Sequence, residues 1–278
     1  MRMTIKKWKI DKWKQSVFFL LALLFIVNSI KAQERDSLLL LKVFQHGLND
    51  TKELVISPIK WDKKDWAIAG GVGAATGALI LFGDQAVYNF ANTQHSPGKD
   101  VFFKNVEPFG HTYPAIIAGA LLLKGIVYKD NYSVETSLIA AESYLLTGML
   151  AQVVKSTAGR NRPNDEGTTH PDEWTGPFFH GNSFFSGHTS TAFSVASVFA
   201  YRYKETTWVP ILSYSLATLC GMQRIYDNRH WASDVFMGAA VGTATGILLC
   251  KQWEKKSIKF YPTFVPKGAG ISMVIPIK

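Results

Sequence analysis

The sequence predicts an all-α protein whose six-helix core bundle carries a polar site at one end. Six apolar stretches of helical length run through the chain, and none shows the strict alternation typical of strands. Alanine, glycine, leucine and serine dominate these stretches, and such small residues let helices pack closely. Clusters of charged and polar residues lie at the ends of the stretches. Together the three observations predict a helical bundle with its chemistry at one end.

Composition indicates a folded chain with a large apolar core. Of the 278 residues 47% are hydrophobic, and only 18% are charged, below the ~25% usual for soluble domains. The formal net charge of +9 belongs mainly to the first 32 residues. Without that segment the net charge falls to about +3, because it holds seven of the basic residues and one of the acidic residues. We therefore expect no nucleic-acid binding.

The first 32 residues have the pattern of a secretory signal peptide. A basic segment precedes the apolar run Ser16–Val27, and Ala32 suits the position before a cleavage site. The run is shorter than the ~20 residues that a membrane span needs, although an uncleaved anchor is the alternative. The sequence thus predicts a signal peptide over residues 1–32 and a connector over residues 33–64.

Residues 65–256 hold the predicted bundle, and residues 257–278 form a tail. The six stretches are Trp66–Gly83, Tyr113–Tyr128, Val134–Val154, Ser186–Tyr203, Trp208–Gln223 and Ala232–Trp253. Proline and glycine predict two long connections, Asp84–Thr112 and Pro163–Ser183. In the tail, a turn between β-prone residues predicts a short hairpin within Phe260–Ile277. Cys220 and Cys250 lie in different stretches and could form a disulfide in an oxidising compartment. If the two helices form a hairpin turning near Asn228, the cysteines are roughly 20 Å apart at ~1.5 Å rise per residue, so we expect them to be buried and unpaired.

The first two polar clusters offer positive charge and an anion site. Lys155 and Arg162 end the third stretch, and a guanidinium can hold two phosphate oxygens at once. Ser186, Gly187 and His188 begin the fourth stretch, where the backbone N–H groups of a helix start attract anions. Either cluster alone is more often a dipole partner or a turn than a site.

The third cluster adds a nucleophile. His230 and Asp234 are four residues apart, which in a helix would place them on one face. A carboxylate on one imidazole nitrogen fixes the tautomer and makes the other nitrogen more nucleophilic. Antiparallel neighbouring helices would bring all three clusters to one end of the bundle. Cations, an acid and a nucleophile in one pocket favour phosphoryl transfer without a metal or cofactor.

The three clusters resemble the motifs K-x6-R-P, P-S-G-H and S-R-x5-H-x3-D of the type 2 phosphatidic acid phosphatase and vanadium haloperoxidase superfamily. They stand here as Lys155…Arg162-Pro163, Phe185-Ser186-Gly187-His188 and Gln223-Arg224…His230…Asp234. Two positions depart from the pattern, because Phe185 replaces a proline and Gln223 replaces a serine. Neither change removes a charge or a proton carrier, so the resemblance still implies an active enzyme.

The resemblance implies a role for each matching residue. His230 attacks phosphorus and forms a phosphohistidine, Asp234 orients His230, and His188 protonates the leaving group. The phosphate oxygens are held by Lys155, Arg162, Ser186, Gly187 and Arg224. Arg160 and Arg229 are candidates for contacts that support the site or bind the substrate. Tyr226 and Trp231 could line the pocket mouth or serve packing. His95 and His111 are expected to be loop residues and not ligands. The loop residues His170, Asp172, Glu173 and His180 fit no defined metal site.

By resemblance the chain is expected to hydrolyse a lipid phosphate or pyrophosphate of the phosphatidate, polyprenyl pyrophosphate or lipid A type. Alternatives are a secreted acid phosphatase acting on soluble monoesters, a vanadate-dependent haloperoxidase and a non-catalytic binding protein. The leader predicts export to the bacterial envelope, with a membrane surface or bilayer as partner. A cleaved leader and six true spans would put the motifs in the cytoplasm and Lys251, Lys255 and Lys256 outside, against the positive-inside rule. This favours an exported domain that does not span the membrane six times.

Overall fold

The structure, a computed structural model, describes residues 47, 49–168, 170–177, 181–256, 259–265 and 268–274. The predicted signal peptide and most of the predicted connector lie outside these residues. Residues 49–56 are helical. The helices are α1 (Lys63–Ala78), α2 (Asp84–Asn92), α3 (Pro97–Val106), α4 (Tyr113–Val127), α5 (Asn131–Ala158), α6 (Gly187–Arg202), α7 (Trp208–Tyr226) and α8 (Ala232–Lys256). The fold is therefore mostly helical, as predicted.

The prediction of a long loop over Asp84–Thr112 is wrong. A π-helical segment, Leu79–Gly83, joins α1 to α2 without a break, and α3 and the 3-10 turn Glu107–Gly110 follow. Pro97 begins α3 instead of breaking a helix, because a proline in the first turn has no N–H to lose. Pro108 opens the 3-10 turn in the same way. By contrast, no helix lies within the described residues of Pro163–Ser183, the other predicted connection.

Glycines on one face of α8 allow it to pack directly on α6. A Cβ added to Gly238, Gly242 or Gly246 would lie 2.7, 2.2 or 2.4 Å from the carbonyl oxygen of Ser186, Ser190 or Ser194, respectively. The glycines are four residues apart and therefore share one face of the helix. This contact brings the start of α8 against the start of α6, where two of the polar clusters lie.

We expect Gly242→Ala to destabilise the protein by ~1–3 kcal/mol, because the new methyl group would push α8 away from the α6 backbone. Thermal unfolding in detergent measures the effect. Gly119→Ala is the control, since nothing lies within 4 Å of the added Cβ at that exposed helical position. The control should be neutral or slightly stabilising. An unchanged midpoint for Gly242→Ala would show that the helices can separate without cost.

Within the described residues, three helical segments are long and apolar enough to cross a membrane, namely Lys63–Asn92, Asn131–Ala158 and Ala232–Lys255. A fourth results if the bent pair Pro97–Gly110 and Tyr113–Val127 counts as one span. Only 6% of the apolar window in Lys63–Asn92 is buried, and Phe82 is 81% exposed. The described part of the chain is thus suited to membrane association.

The described part of the chain ends with two antiparallel strands, β1 (Lys259–Val265) and β2 (Gly268–Val274). Strand β1 lies near α5. Both cysteines are buried and free, Cys250 in a core cluster with Ile139, Val198 and Leu249, and Cys220 in a second cluster with Ala192 and Ala217.

Candidate active site

The fold brings the three polar clusters together at the starts of α6 and α8 and the end of α5. Ser186 N donates to Asp234 O at 3.0 Å, which ties the second cluster to the third. Lys155 Nζ lies 3.8 Å from the position of a Cβ built on Gly187, which places the first cluster against the second. The chain leaves α5 through Gly159, whose φ of +64° is the left-handed conformation that favours glycine.

His230 is a buried imidazole held by its neighbours on one side. Its Nδ1 lies 3.6 Å from Asp234 Oδ2, longer than a hydrogen bond, and 3.4 Å from Ser183 Oγ. Burial lowers the pKa of His230 to about 3, although Asp234 opposes the shift. The ring is therefore neutral near pH 7. With Nδ1 facing Asp234 and Ser183, the lone pair on Nε2 is the one suited to nucleophilic attack.

His230 and Asp234 meet for a different reason than the sequence suggested. His230 precedes α8, so the two residues do not share a helical face. Instead, Asp234 lies in the first turn of α8 and accepts a hydrogen bond from Trp231 N at 3.0 Å. A carboxylate in the first turn that binds a preceding N–H stabilises a helix start. This local cap holds the turn that carries His230.

Among the described residues, Arg160 is the largest fully buried side chain, and it joins Asp234 to a residue that the sequence did not single out. Its guanidinium bonds Asp234 Oδ1 at 2.5 Å and Asp84 Oδ2 at 2.7 Å, with all three side chains fully buried. It also donates to Pro171 O and to Ser233 Oγ. Ser233 N donates to Asp84 Oδ1 at 2.8 Å, which closes the network. Arg160 therefore acts through Asp234 instead of facing the pocket.

Arg162 and Arg224 carry donors that suit an anion. Arg162 Nε and Arg224 Nη2 are buried, and among the described residues neither has a hydrogen-bond acceptor. Glu107 Oε1 is 3.1 Å from Arg224 Nη2, an ion pair without hydrogen-bond geometry. Gln223, which stands where the resemblance has serine, accepts a hydrogen bond from Arg224 Nε. The Gln223 side chain therefore helps to position this arginine.

Ser186 and Gly187 lie at the start of α6, as predicted, but the serine hydroxyl already has a partner. Ser186 Oγ is 2.8 Å from Thr189 Oγ1 and accepts from Thr189 N at 3.4 Å, so it caps the helix. Phe185, the other departure from the motif, is buried. The anion-binding groups that α6 offers here are its first backbone N–H groups.

His188 packs against Gly110 and His111, which lie in a segment predicted from the sequence to be a loop. His111 and His188 have ring centroids 5.3 Å apart, and a Cβ on Gly110 would lie 2.6 Å from His188 Cβ. Burial, together with the charge of Arg224 and the other basic groups nearby, holds the pKa of His188 well below 6.5. His111 lies in the turn before α4, and this turn contacts the candidate site through His188.

Glu107, His111 and His188 have side-chain ligand atoms within 4.8 Å of one another. Among the described residues this is the group whose spacing could hold a metal ion. Two observations weigh against a cation there. Glu107 is already paired with Arg224, and His188 lies in the positive field of Arg224 and Lys155. The cluster is better suited to adjusting the protonation of His188.

The remaining candidates mostly pack around the site. Tyr226 donates to Asp100 Oδ1, and its ring lies 4.2 Å from that of His95. Trp231 Nε1 donates to Asn161 O at 2.9 Å. In the loop, Glu173 accepts from His170 N, while His180 lies outside the described residues. Tyr226 and Trp231 thus serve packing, and Arg229 N donates to Arg224 O at 2.9 Å.

Comparison with known proteins relates the chain to one family. Residues 136–258 match the PAP2 superfamily model. The lipid A 1-phosphatase of Porphyromonas gingivalis is 35% identical over 131 residues, 46% of this chain and 26% of that protein. The probable diacylglycerol pyrophosphate phosphatase 1 of Schizosaccharomyces pombe is 26% identical over 140 residues, 40% of this chain and 50% of that protein. The chain therefore matches half or less of the length of these relatives.

Two solved structures are similar. The crystal structure of Aquifex aeolicus LpxE is 25% identical and has a TM-score of 0.46, covering 60% of this chain and 94% of its own. The transmembrane PAP2 type phosphatidylglycerolphosphate phosphatase from Bacillus subtilis is 20% identical and has a TM-score of 0.49, covering 68% of this chain and 95% of its own.

Proposed function

We propose that the chain is a member of the PAP2 superfamily, whose model matches residues 136–258, and that it is a phosphatase that removes phosphate from a lipid phosphate or pyrophosphate through a phosphohistidine on His230. The observation that carries this proposal is the neutral, buried imidazole of His230 beside the cationic side chains of Lys155 and Arg162, with Arg224 close to both of these. A neutral imidazole is a nucleophile, and fixed cations stabilise the charge of the phosphoryl group in transfer.

The proposed reaction has two steps. In the first, His230 Nε2 bonds to phosphorus while the bond from phosphorus to the leaving oxygen breaks, and His188 gives its proton to that oxygen. In the second, water attacks the phosphohistidine, His188 takes a proton from the water, and the P–N bond breaks to release phosphate. Asp234 stabilises the positive charge that develops on His230, as in other carboxylate–histidine pairs. Arg162 Nε and Arg224 Nη2 are placed to receive the phosphate oxygens.

A lipid substrate follows from the surface of the protein together with its relatives. The exposed apolar helices suit a membrane. The related proteins are named for activity on lipid A and on diacylglycerol pyrophosphate. With the export leader predicted from the sequence, we place the enzyme in the bacterial envelope, with the site on the periplasmic side.

A substrate panel tests the function. The chain would be given phosphatidate, a polyprenyl pyrophosphate, lipid A and a soluble aryl phosphate in detergent with chelator present, and released phosphate would be measured. We expect release from at least one lipid to exceed release from the aryl phosphate. Preference for the aryl phosphate would favour the acid phosphatase alternative. Bromide oxidation with added vanadate, without phosphate release, would favour the haloperoxidase, and no turnover would favour a binding protein.

The pH dependence tests the role of His188. A general acid works only when protonated, so kcat/KM should fall as pH rises through the lowered pKa of His188 in the free enzyme. Burial is the largest cause of this lowering, and His111 is one of the basic groups that add to it, so His111→Asn removes part of the effect. We therefore expect the falling limb of kcat/KM to move to higher pH in this variant.

His95→Asn is the control for His111→Asn, because His95 contacts Tyr226 and Asp100 and is not among the groups that shift His188. Its profile should match that of the parent. If the falling limb of kcat/KM stayed in place or moved to lower pH in His111→Asn, this limb would not report the pKa of His188. That result would contradict the assignment of His188 as the general acid.

A further inference from the structure

The 3-10 turn Glu107–Gly110 places a carboxylate beside the proposed general acid. The side-chain ligand atoms of Glu107, His111 and His188 all lie within 4.8 Å of one another. His188 is proposed to protonate the leaving oxygen, so Glu107 lies on the side of the site from which the leaving group departs. The Glu107 side chain is 43% exposed, and a substrate at the pocket mouth can therefore reach it.

Two side chains from the bundle hold this turn in place. Thr191 Oγ1 donates to Gly110 O at 2.7 Å, and Tyr144 Oη donates to His111 O at 3.1 Å. A Cβ on Gly110 would lie 2.8 Å from His188 Cδ2, so the turn rests directly on the imidazole. A group that discriminates between substrates needs such a fixed position, because a mobile carboxylate could swing away from an unfavourable charge.

Glu107 also pairs with the cation that most affects His188. Glu107 Oε1 lies 3.1 Å from Arg224 Nη2, and the Arg224 side chain is only 6% exposed. After burial, the charge of Arg224 makes the largest contribution to the low pKa of His188, so the guanidinium also lies close to the leaving-group side. The charge that Arg224 could offer to an anionic leaving group is therefore already balanced by Glu107.

This balance separates the two substrate types that the proposed function leaves open. Cleavage of a monoester releases an alcohol, which is neutral once His188 has protonated the leaving oxygen. Cleavage of a pyrophosphate releases a lipid monophosphate, whose remaining phosphate keeps at least one negative charge near pH 7. Like charges a few ångströms apart repel each other, and they do so most strongly where little water screens them. The arrangement around Glu107 therefore suits a neutral leaving group.

We infer that Glu107 is a specificity-determining residue that disfavours anionic leaving groups, so that the site selects lipid phosphate monoesters over lipid pyrophosphates. The inference rests on the proposed phosphatase function and narrows its substrate class. It concerns the leaving group alone, because the transferred phosphoryl group is the same in both substrates.

A second glutamate provides a matched control for Glu107→Gln. Glu135 Oε2 lies 3.2 Å from Arg202 Nη2, nearly the same separation as in the Glu107 pair. Glu135 lies ~20 residues before Lys155 in α5, or ~30 Å away at ~1.5 Å rise per residue. Glu135→Gln therefore makes the same chemical change far from the site. The measurement is kcat/KM of each protein for a prenyl phosphate and for the prenyl pyrophosphate of the same chain length.

We expect the ratio of kcat/KM for the pyrophosphate to kcat/KM for the monophosphate to rise at least ~10-fold in Glu107→Gln, the size of a repulsion between two nearby charges at a protein surface. The ratio in Glu135→Gln should match that of the parent. Glu107→Asp keeps the negative charge, so its ratio should stay close to the parental value. An unchanged or lower ratio in Glu107→Gln, or an equal rise in Glu107→Asp, would overturn the inference.

Binding of analogues that cannot be hydrolysed separates failure of the inference from failure of the function. The probes are an alkylphosphonate and an alkyl ester of methylenebisphosphonate, whose P–C–P bridge replaces the P–O–P bridge of a pyrophosphate. A larger gain in bisphosphonate binding than in phosphonate binding in Glu107→Gln, without such a gain in Glu135→Gln, supports the inference even if no phosphate ester is turned over. Equal changes for the two probes reject it even if the parent proves to be an active phosphatase.

Discussion

Replacing His230 with alanine should lower phosphate release by at least ~10³-fold on every substrate that the parent hydrolyses. The reason is that His230 supplies the bond to phosphorus, and the described neighbours offer no second imidazole in its place. His188 is the nearest alternative, but it packs on Gly110 and His111 and is assigned the proton transfer. The loss should appear in kcat, because the cations that bind phosphate remain.

His170→Ala is the matched control, since His170 is an exposed loop residue. It should keep parental activity. Added imidazole should partly restore turnover to His230→Ala by occupying the vacated space, which a merely unfolded variant would not show. Brief turnover of a labelled phosphate substrate followed by denaturation should leave acid-labile label on the parent and none on His230→Ala. Full activity in His230→Ala would reject the proposed site.

Replacing Arg160 with methionine should have the largest effect on stability. The change would leave the carboxylates of Asp84 and Asp234 fully buried without their shared cation. Breaking a buried ion pair by removing one partner typically costs ~3–5 kcal/mol. We therefore expect a large drop in the thermal midpoint in detergent. Any protein that remains folded should have a lower kcat, because Asp234 would no longer be held beside His230.

A double-mutant cycle with Asp84→Asn tests the network itself. Asp84→Asn removes one of the two buried charges, so Arg160→Met should cost less in that background than in the parent. Arg202→Met is the control, because the Arg202–Glu135 pair is partly exposed and 3.2 Å long. It should lower stability by much less than Arg160→Met. Additive effects of the Arg160 and Asp84 changes would show that the two side chains are not coupled.

The sequence predicted the helical class and the meeting of three clusters because both depend on local signals. Long apolar stretches without alternation form helices wherever they pack, and each stretch lies in helical structure here. Lys155 lies in the last turn of α5, His188 in the first turn of α6 and Asp234 in the first turn of α8. With antiparallel neighbouring helices, this order brings all three to one end of the bundle. The same reasoning failed for residues 84–112, where proline and glycine were interpreted as breakers although Pro97 and Pro108 begin helical turns.

The sequence by itself therefore determined the mostly helical fold, the three clusters and the family that they indicate. Only the tertiary structure decided that Arg160 bridges Asp84 and Asp234 and that His111 lies beside His188. These contacts join residues 70 or more positions apart, and no period or spacing along the chain records such a pairing. The distance between two helices is set by how closely their backbones can approach, as where Gly242 of α8 lies against Ser190 of α6. This close packing brings side chains that are far apart in the sequence within bonding distance.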